Sequence, residues 1–154
     1  MSRTESFWPQ YSPFLAFAIA LTALLGSLYF EAAGFAPCTL CWYQRILMYP
    51  LTLILLVGIL KHDEGLFDYV LPFSVLGMGV SSYHYLIQMG VLTHPAVCSV
   101  AVPCDQRDLN YLGFVTIPLM TLMAFAIITL VMALGKWAGK GARADAAASD
   151  ESTD

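Results

Sequence analysis

Residues 112–134 read LGFVTIPLMTLMAFAIITLVMAL, a stretch of 23 residues that contains no charged side chain. About 20 apolar residues in a helix cross the ~30 Å hydrocarbon core of a bilayer, so this stretch is long enough to span it. Lipid offers the backbone no hydrogen-bond partners, which makes a helix the expected conformation. Three earlier stretches of similar length and character lie at about residues 14–33, 42–60 and 67–89. The sequence therefore predicts an all-α membrane protein, folded as a four-helix transmembrane bundle.

The composition agrees with a lipid environment. Hydrophobic residues make up 58% of the 154 residues and charged residues only 12%, whereas soluble domains carry about 25% charged residues. No basic run suggests binding to nucleic acid. We expect one four-span membrane domain over residues 1–138. Residues 139–154, rich in glycine, alanine, serine and acidic side chains, are predicted to form a disordered cytoplasmic tail.

The basic residues predict the orientation in the membrane. Two of the seven, Arg45 and Arg107, lie on one side of the predicted bundle. Because basic residues accumulate in cytoplasmic segments, the other side is expected to be cytoplasmic and to contain both termini. Segments 34–41 and 90–111 then face away from the cytoplasm. The five basic residues on the predicted cytoplasmic side are Arg3, Lys61, Lys136, Lys140 and Arg143.

All four cysteines fall on the predicted outer side, in two pairs. Cys38 and Cys41 form a Cys-x-x-Cys motif, and Cys98 and Cys104 are separated by five residues. Disulfides persist in an oxidising compartment, so two static disulfides on a four-span scaffold are one interpretation. A metal site is another, although it would need all four thiolates in one tetrahedron. A redox function is favoured, because a bridge between cysteines so close in sequence restrains the unfolded chain very little.

The start of the second span suggests how a thiolate could be stabilised. Cys41 is expected in the first turn of this helix, where the helix dipole favours a negative charge. Arg45 lies four residues later on the same helix face and would favour the thiolate further. Arg45 could instead be an interfacial anchor whose side chain extends to the headgroups. A thiolate at the membrane surface suggests an electron acceptor that is dissolved in lipid, and a quinone fits that description.

The third span carries polar residues near its outer end. His84 and Gln88 are four residues apart and share a helix face. Polar side chains at membrane depth usually face the interior of a bundle and are often functional. A solvated histidine at the interface is the alternative. These two residues are therefore candidates for the lining of a site near the Cys-x-x-Cys motif.

Three segments resemble a known family. The sequence CTLCWYQR over residues 38–45 resembles the C-x-x-C-x-x-x-R signature of the DsbB family of disulfide-bond formation proteins. His84-x-x-x-Gln88 is similar to a pattern in members of that family. The segments VPC at 102–104 and GFVTIP at 113–118 resemble its BdbC branch. The resemblance covers most of the chain, from the first span through the fourth.

The resemblance implies a quinone-dependent thiol oxidoreductase in the bacterial cell membrane. In that family a soluble thioredoxin-fold oxidase similar to DsbA would be re-oxidised at the extracytoplasmic face. Its thiol would attack the Cys98–Cys104 disulfide at Cys98, and Cys104 would then exchange with Cys38. Cys41 would be left as the thiolate facing ubiquinone or menaquinone. Arg45, His84 and Gln88 are the residues implied to bind the quinone, and no metal is implied.

The second cysteine pair departs from the DsbB branch of the family, whose pair is separated by a much longer loop. The five-residue spacing leaves the whole segment 90–110 to bring Cys98 and Cys104 to their partners. The residues alone also do not fix the direction of electron flow, since a reductive system would use the same cysteines. The resemblance indicates oxidation of the soluble partner.

Overall fold

A computed structural model of the chain describes residues 7–93, Cys98, Cys104 and residues 116–151. The described residues form four helices and include no strand. Each helix contains a segment long and apolar enough to cross a membrane, as the sequence predicts. The helices are α1 (Phe7–Ala32), α2 (Thr39–Lys61), α3 (Leu66–Gln88) and α4 (Ile117–Glu151).

The four helices form a closed ring in which each packs against two neighbours. Helix α1 contacts α2 and α4, and α3 contacts the same two helices. Neighbours run antiparallel: Lys136, near the end of the apolar part of α4, forms an ion pair with Asp68 at the start of α3. The turn between α2 and α3 begins at His62, which adopts a left-handed conformation (φ 51°) and donates its backbone N–H to the end of α2.

Small residues allow the helices of the bundle to approach closely. Gly77 on α3 lies directly against the ring of Phe125 on α4, where any Cβ would overlap the ring. Gly135 on α4 is in the same situation against Ser12 on α1. Between these contacts lies an apolar core of buried side chains. The core includes Ala16, Ala20, Leu51, Leu55, Val70, Ile128 and Met132.

The outward surface of the ring is apolar. Leu53, Leu76 and Leu130 lie within the helices and are each more than half exposed. Contiguous exposed apolar surface is rare on soluble monomers. Such a surface is suited to contact with acyl chains, in agreement with four membrane spans.

The helix bounds differ from the sequence prediction at two places. Helix α1 begins at Phe7, about two turns before the predicted start at residue 14. Helix α4 continues through Glu151, so residues 139–151 are helical where the sequence predicts a disordered tail. Alanine is the best helix former, and extending an existing helix requires no new nucleation. The first residues of the predicted fourth span, 112–115, lie outside the described residues.

Candidate active site

The two cysteines of the Cys-x-x-Cys motif meet at the first turn of α2. Cys38 is the N-cap residue, with an extended backbone (φ −70°, ψ 169°). Its sulfur accepts a hydrogen bond from the backbone N–H of Cys41 over 3.3 Å. The two sulfur atoms are 2.8 Å apart, and both residues are free thiols. A disulfide has a bond of about 2.05 Å, so oxidation of this pair requires little movement.

Cys38, rather than Cys41, has the environment of a thiolate. Its hydrogen bond with the Cys41 side chain, assisted by His84, lowers the pKa of Cys38 to about 4, although burial opposes this shift. The sequence analysis assigned the thiolate to Cys41 because it expected the helix to start there. Helix α2 starts at Thr39, and Cys38 therefore occupies the capping position at which backbone N–H groups point toward a negative charge.

His84 lies in the interior and contacts both cysteine pairs. Only 1% of its surface is exposed. Its Nε2 is 3.6 Å from the sulfur of Cys38 and 3.1 Å from the carbonyl oxygen of Cys104. Its Nδ1 is 3.3 Å from Nε2 of Gln44 on α2. Gln88, the other polar residue predicted on α3, is also buried.

The second cysteine pair is a disulfide and lies beside the first. Cys98 and Cys104 are bonded, with their Cα atoms 5.7 Å apart. Cys104 is 1% exposed and belongs to one buried cluster with Cys38, Leu40 and Ile87, against which Cys41 and Cys98 pack. The four cysteines predicted to act together are thus in one place. The rest of the segment that carries the second pair, including residues 94–97 and 105–115, lies outside the described residues.

Arg45 is buried but turns toward α1. Its Nη1 is 2.5 Å from Oε2 of Glu31, and its Nη2 donates to the carbonyl oxygen of Ser27 over 3.1 Å. The guanidinium carbon also lies 5.5 Å from the ring centroid of Trp42. The sequence analysis expected Arg45 to act on the Cys41 sulfur and did not assign Glu31 to the site. The sequence did contain a signal for this contact. Glu31 is a carboxylate near the end of the first span, at about the same membrane depth as Arg45 at the start of the second.

A cavity of about 1140 Å³ opens next to these residues, among α1, α2 and the first turns of α4. Most of its wall is apolar, formed by side chains such as Ile19, Phe30 and Ile127. Polar groups line it near the start of α2 and the end of α3: Cys38, Cys41, Gln44, Arg45, His84 and Gln88. Neither Cys98 nor Cys104 is among the lining residues. An apolar chamber with a few polar groups gathered together suits an apolar ligand with a polar head.

Three potential metal ligands also meet here. The sulfur atoms of Cys38 and Cys41 and a ring nitrogen of His84 all lie within 4.8 Å of one another. In tetrahedral zinc, bonds of about 2.3 Å hold two thiolates roughly 3.8 Å apart, whereas these two sulfurs are 2.8 Å apart. Cys98 and Cys104 are bonded to each other and cannot complete a four-thiolate set. The distance between the two sulfurs is therefore shorter than a tetrahedral zinc site requires and closer to that of a cysteine pair that can form a disulfide.

The chain is similar to known proteins of disulfide bond formation. The family model for disulfide bond formation protein DsbB matches residues 9–135. Probable disulfide formation protein C of Halalkalibacterium halodurans is 55% identical over 111 residues, which cover 71% of this chain and 81% of that protein. Disulfide bond formation protein C of Bacillus subtilis is 45% identical over 125 residues, covering 80% and 91%. No solved structure matches this chain significantly.

The fold and the family match together define a bacterial membrane protein built of four apolar helices, in which two cysteine pairs lie side by side. The chain belongs to the DsbB family of disulfide bond formation proteins, and the family implies a membrane thiol oxidoreductase. The resemblance noted in the sequence is thereby confirmed, including its leaning toward the branch named disulfide formation protein C.

Proposed function

We propose that this protein re-oxidises a soluble, extracytoplasmic thioredoxin-fold thiol oxidase similar to DsbA and passes the electrons to a membrane quinone. The observation that carries the proposal is the contact between the two cysteine pairs. Cys104 and Cys38 share one buried cluster, and His84 touches both. Exchange between the pairs then needs no large rearrangement of the described residues, despite the short spacing of the second pair.

The reaction with the soluble partner begins at Cys98. Burial supports this assignment, because Cys98 is partly exposed whereas Cys104 is almost completely buried. A partner thiolate attacks the Cys98 sulfur, the Cys98–Cys104 bond breaks, and Cys104 leaves as a thiolate. The partner's second thiol then displaces Cys98. The partner leaves as a disulfide, and Cys98 and Cys104 remain as a dithiol.

Exchange between the two pairs follows within the protein. The Cys104 thiolate attacks Cys38 in a Cys38–Cys41 disulfide, and Cys41 leaves as a thiolate. Cys98 then attacks Cys104, which restores the Cys98–Cys104 disulfide and releases Cys38 as a thiolate. A thiol with a low pKa is a good leaving group, and the lowered pKa of Cys38 suits this step.

The cavity beside Cys41 is the proposed quinone site. Its volume of about 1140 Å³ is ample for a quinone head and part of an isoprenoid tail, and its apolar wall suits both. A bound ubiquinone or menaquinone would accept the two electrons and two protons of the Cys38/Cys41 dithiol, which becomes a disulfide again. Arg45, His84 and Gln88 line the same cavity and are proposed to bind the quinone there, Arg45 and Gln88 by hydrogen bonds to its polar head.

The proposed orientation places both termini in the cytoplasm and the four cysteines at the extracytoplasmic face of the bacterial cell membrane. The distribution of basic residues supports this direction. Labelling with a membrane-impermeant maleimide provides a test in intact spheroplasts. Cys98, in a sample reduced beforehand, is expected to react. A cysteine introduced at Lys61 is expected to react only after the membrane is permeabilised, and the reverse pattern would contradict the orientation.

Quinone reduction by a reduced thioredoxin-fold partner tests the proposed function directly. Purified wild-type protein is expected to turn over, and Cys41→Ser is expected to reduce no quinone while still forming a mixed disulfide with the partner at Cys98. Unchanged turnover in Cys41→Ser would refute the proposal. A scaffold with static disulfides predicts instead that Cys98–Cys104 stays oxidised in the presence of excess reduced partner. Stoichiometric zinc that is lost in Cys38→Ser would indicate a metal site.

A further inference from the structure

Gln44 on α2 is a buried polar side chain that contacts His84, and the proposed function gives it no role. Gln44 is 4% exposed, and its Nε2 lies 3.3 Å from Nδ1 of His84. The nitrogen of a side-chain amide can only donate hydrogen bonds. With the amide in this orientation Nδ1 of His84 is the acceptor, and in a neutral imidazole the hydrogen is then on Nε2, as the contact of Nε2 with the carbonyl oxygen of Cys104 also requires.

The hydrogen on Nε2 has two acceptors in front of it. The carbonyl oxygen of Cys104 is 3.1 Å away and the sulfur of Cys38 is 3.6 Å away. The opposite tautomer would direct a nitrogen lone pair at both atoms. A lone pair facing the carbonyl oxygen of Cys104, a residue that is 1% exposed, would bring two acceptors together in a buried site, which is unfavourable.

We propose that Gln44 is a positioning residue that holds His84 in its Nε2–H tautomer, so that a single hydrogen links the backbone of Cys104 to the sulfur of Cys38. This inference deepens the proposed function and rests on it for its catalytic meaning. The hydrogen bond to the carbonyl keeps Cys104 within reach of Cys38. The same hydrogen stabilises Cys38 when it is released as a thiolate, as Cys98 closes the bond to Cys104.

Arg45 does not supply this stabilisation in its observed position. Its two terminal nitrogens are bonded to Glu31 and to the carbonyl of Ser27. His84 is the side chain that contacts the Cys38 sulfur from another helix. The state of its ring therefore matters directly for the exchange between the pairs, and Gln44 is the residue in contact with the far side of that ring.

Nitrogen-15 NMR of His84 tests the tautomer without any measurement of activity. All proteins in this experiment carry the substitutions His62→Gln and His94→Gln. His84 is then the only histidine of the three that remains, and the imidazole signals belong to it. With Gln44 present, Nδ1 is expected to have the shift of an unprotonated nitrogen and Nε2 that of a protonated one. Gln44→Met removes the donor at similar size and is expected to give a mixture of tautomers. Gln44→Glu supplies an acceptor and is expected to place a hydrogen on Nδ1.

A rapid-quench experiment tests the consequence. Fully oxidised protein is mixed with one equivalent of reduced thioredoxin-fold partner in the absence of quinone, quenched in acid and alkylated. Mass spectrometry then follows the appearance of free Cys38 and Cys41. A hydrogen bond to a charged group stabilises it by an amount that corresponds to about a tenfold change in rate. Gln44→Met is therefore expected to slow the appearance of free Cys38 and Cys41 about tenfold. The matched control is Gln10→Met on the exposed surface of α1, which is expected to behave as wild type.

The results separate the two proposals. A protonated Nδ1 with Gln44 present, or identical His84 shifts in Gln44→Met, would overturn the role of Gln44 whatever the activity. The role of Gln44 would also be overturned if the Gln44→Met protein transferred electrons between the two cysteine pairs at the wild-type rate. Failure of the proposed function would look different, because wild-type protein would then accept no electrons from the partner while its His84 spectrum still showed the Nε2–H tautomer.

Discussion

Nη1 of Arg45 on α2 lies 2.5 Å from Oε2 of Glu31 on α1. The arginine side chain is 10% exposed and the glutamate side chain 46%, so the pair joins the buried wall of the cavity to the bundle surface. Arg45 and Ser27 line the cavity, and the ion pair fixes where the guanidinium stands. Glu31 is therefore expected to influence any ligand that Arg45 contacts.

Glu31→Gln is expected to raise the KM for quinone about fivefold and to change kcat less. A half-exposed ion pair contributes on the order of 1 kcal/mol, which corresponds to a factor of about five in binding. The measurement is steady-state quinone reduction at varied quinone concentration. Glu64→Gln, in the turn between α2 and α3 at the opposite end of the bundle, serves as the control. An unchanged KM in Glu31→Gln would show that the position of Arg45 does not depend on this pair.

Arg45→Lys is expected to retain part of the quinone reduction that Arg45→Ala loses. The planar guanidinium binds Glu31 and the carbonyl of Ser27 at the same time, whereas an ammonium group is a single point charge that cannot reproduce this fork. Assays of the three proteins side by side should rank wild type above lysine and lysine above alanine. Equal activity of the lysine and alanine variants would mean that charge alone contributes nothing.

Alkylation of Cys38 is expected to be nearly independent of pH between about 5 and 8. Hydrogen bonds from Cys41 and His84 lower the pKa of Cys38 to about 4, from an ordinary value of 9.0. The reactive thiolate is therefore present above pH 4 and is lost as the pH falls through that value. The measurement uses iodoacetamide on protein with Cys98–Cys104 oxidised, and mass spectrometry to identify the site.

His84→Gln provides the comparison for that titration. His84 contributes to the lowered pKa, so its removal is expected to move the alkylation curve of Cys38 to higher pH. A wild-type rate that rises steadily between pH 7 and 9 would contradict the assignment of the thiolate to Cys38.

Gly77→Ala is expected to destabilise the bundle by about 1–3 kcal/mol, the usual cost of overpacking. A Cβ at this position overlaps the ring of Phe125, which is fully buried, so the ring or one of the two helices must move. Gly79→Ala is the matched control, because a Cβ there meets no atom within 4 Å. Thermal unfolding in detergent should give a lower Tm for the first variant only. Equal Tm values would show that α3 and α4 can separate freely at this contact.

Much of the fold could be predicted from the sequence because lipid imposes a simple rule. A span must be apolar over about 20 residues, and residues 42–60 and 67–89 meet that rule almost to the observed helix ends. The helical end of α4 was missed because the glycine and acidic residues after 139 suggested disorder. The alanines between them favour a helix once α4 is already formed.

The site could be predicted only as far as local patterns reach. The spacing of residues at the start of the second span predicts that Cys38, Cys41 and Arg45 belong to one site, and all three line the same cavity. The partner of Arg45 could not be read in the same way, because Glu31 is on another helix. The sequence favoured Cys41 as the thiolate because it predicted the second span from about residue 42, whereas α2 begins at Thr39 and makes Cys38 the N-cap residue. Hydropathy does not resolve a difference of a few residues.

The cavity has Cys38 and Cys41 in its wall but neither Cys98 nor Cys104. In the proposed reaction, a lipid-soluble oxidant in this cavity would meet one of the two dithiols, Cys38 and Cys41. In the proposed reaction the water-soluble thiol meets the other one. The two proposed half-reactions would then take place at separate cysteine pairs, although these cysteines pack in one cluster. On this proposal, electrons would pass between water and lipid through the Cys104–Cys38 exchange, which links the two half-reactions.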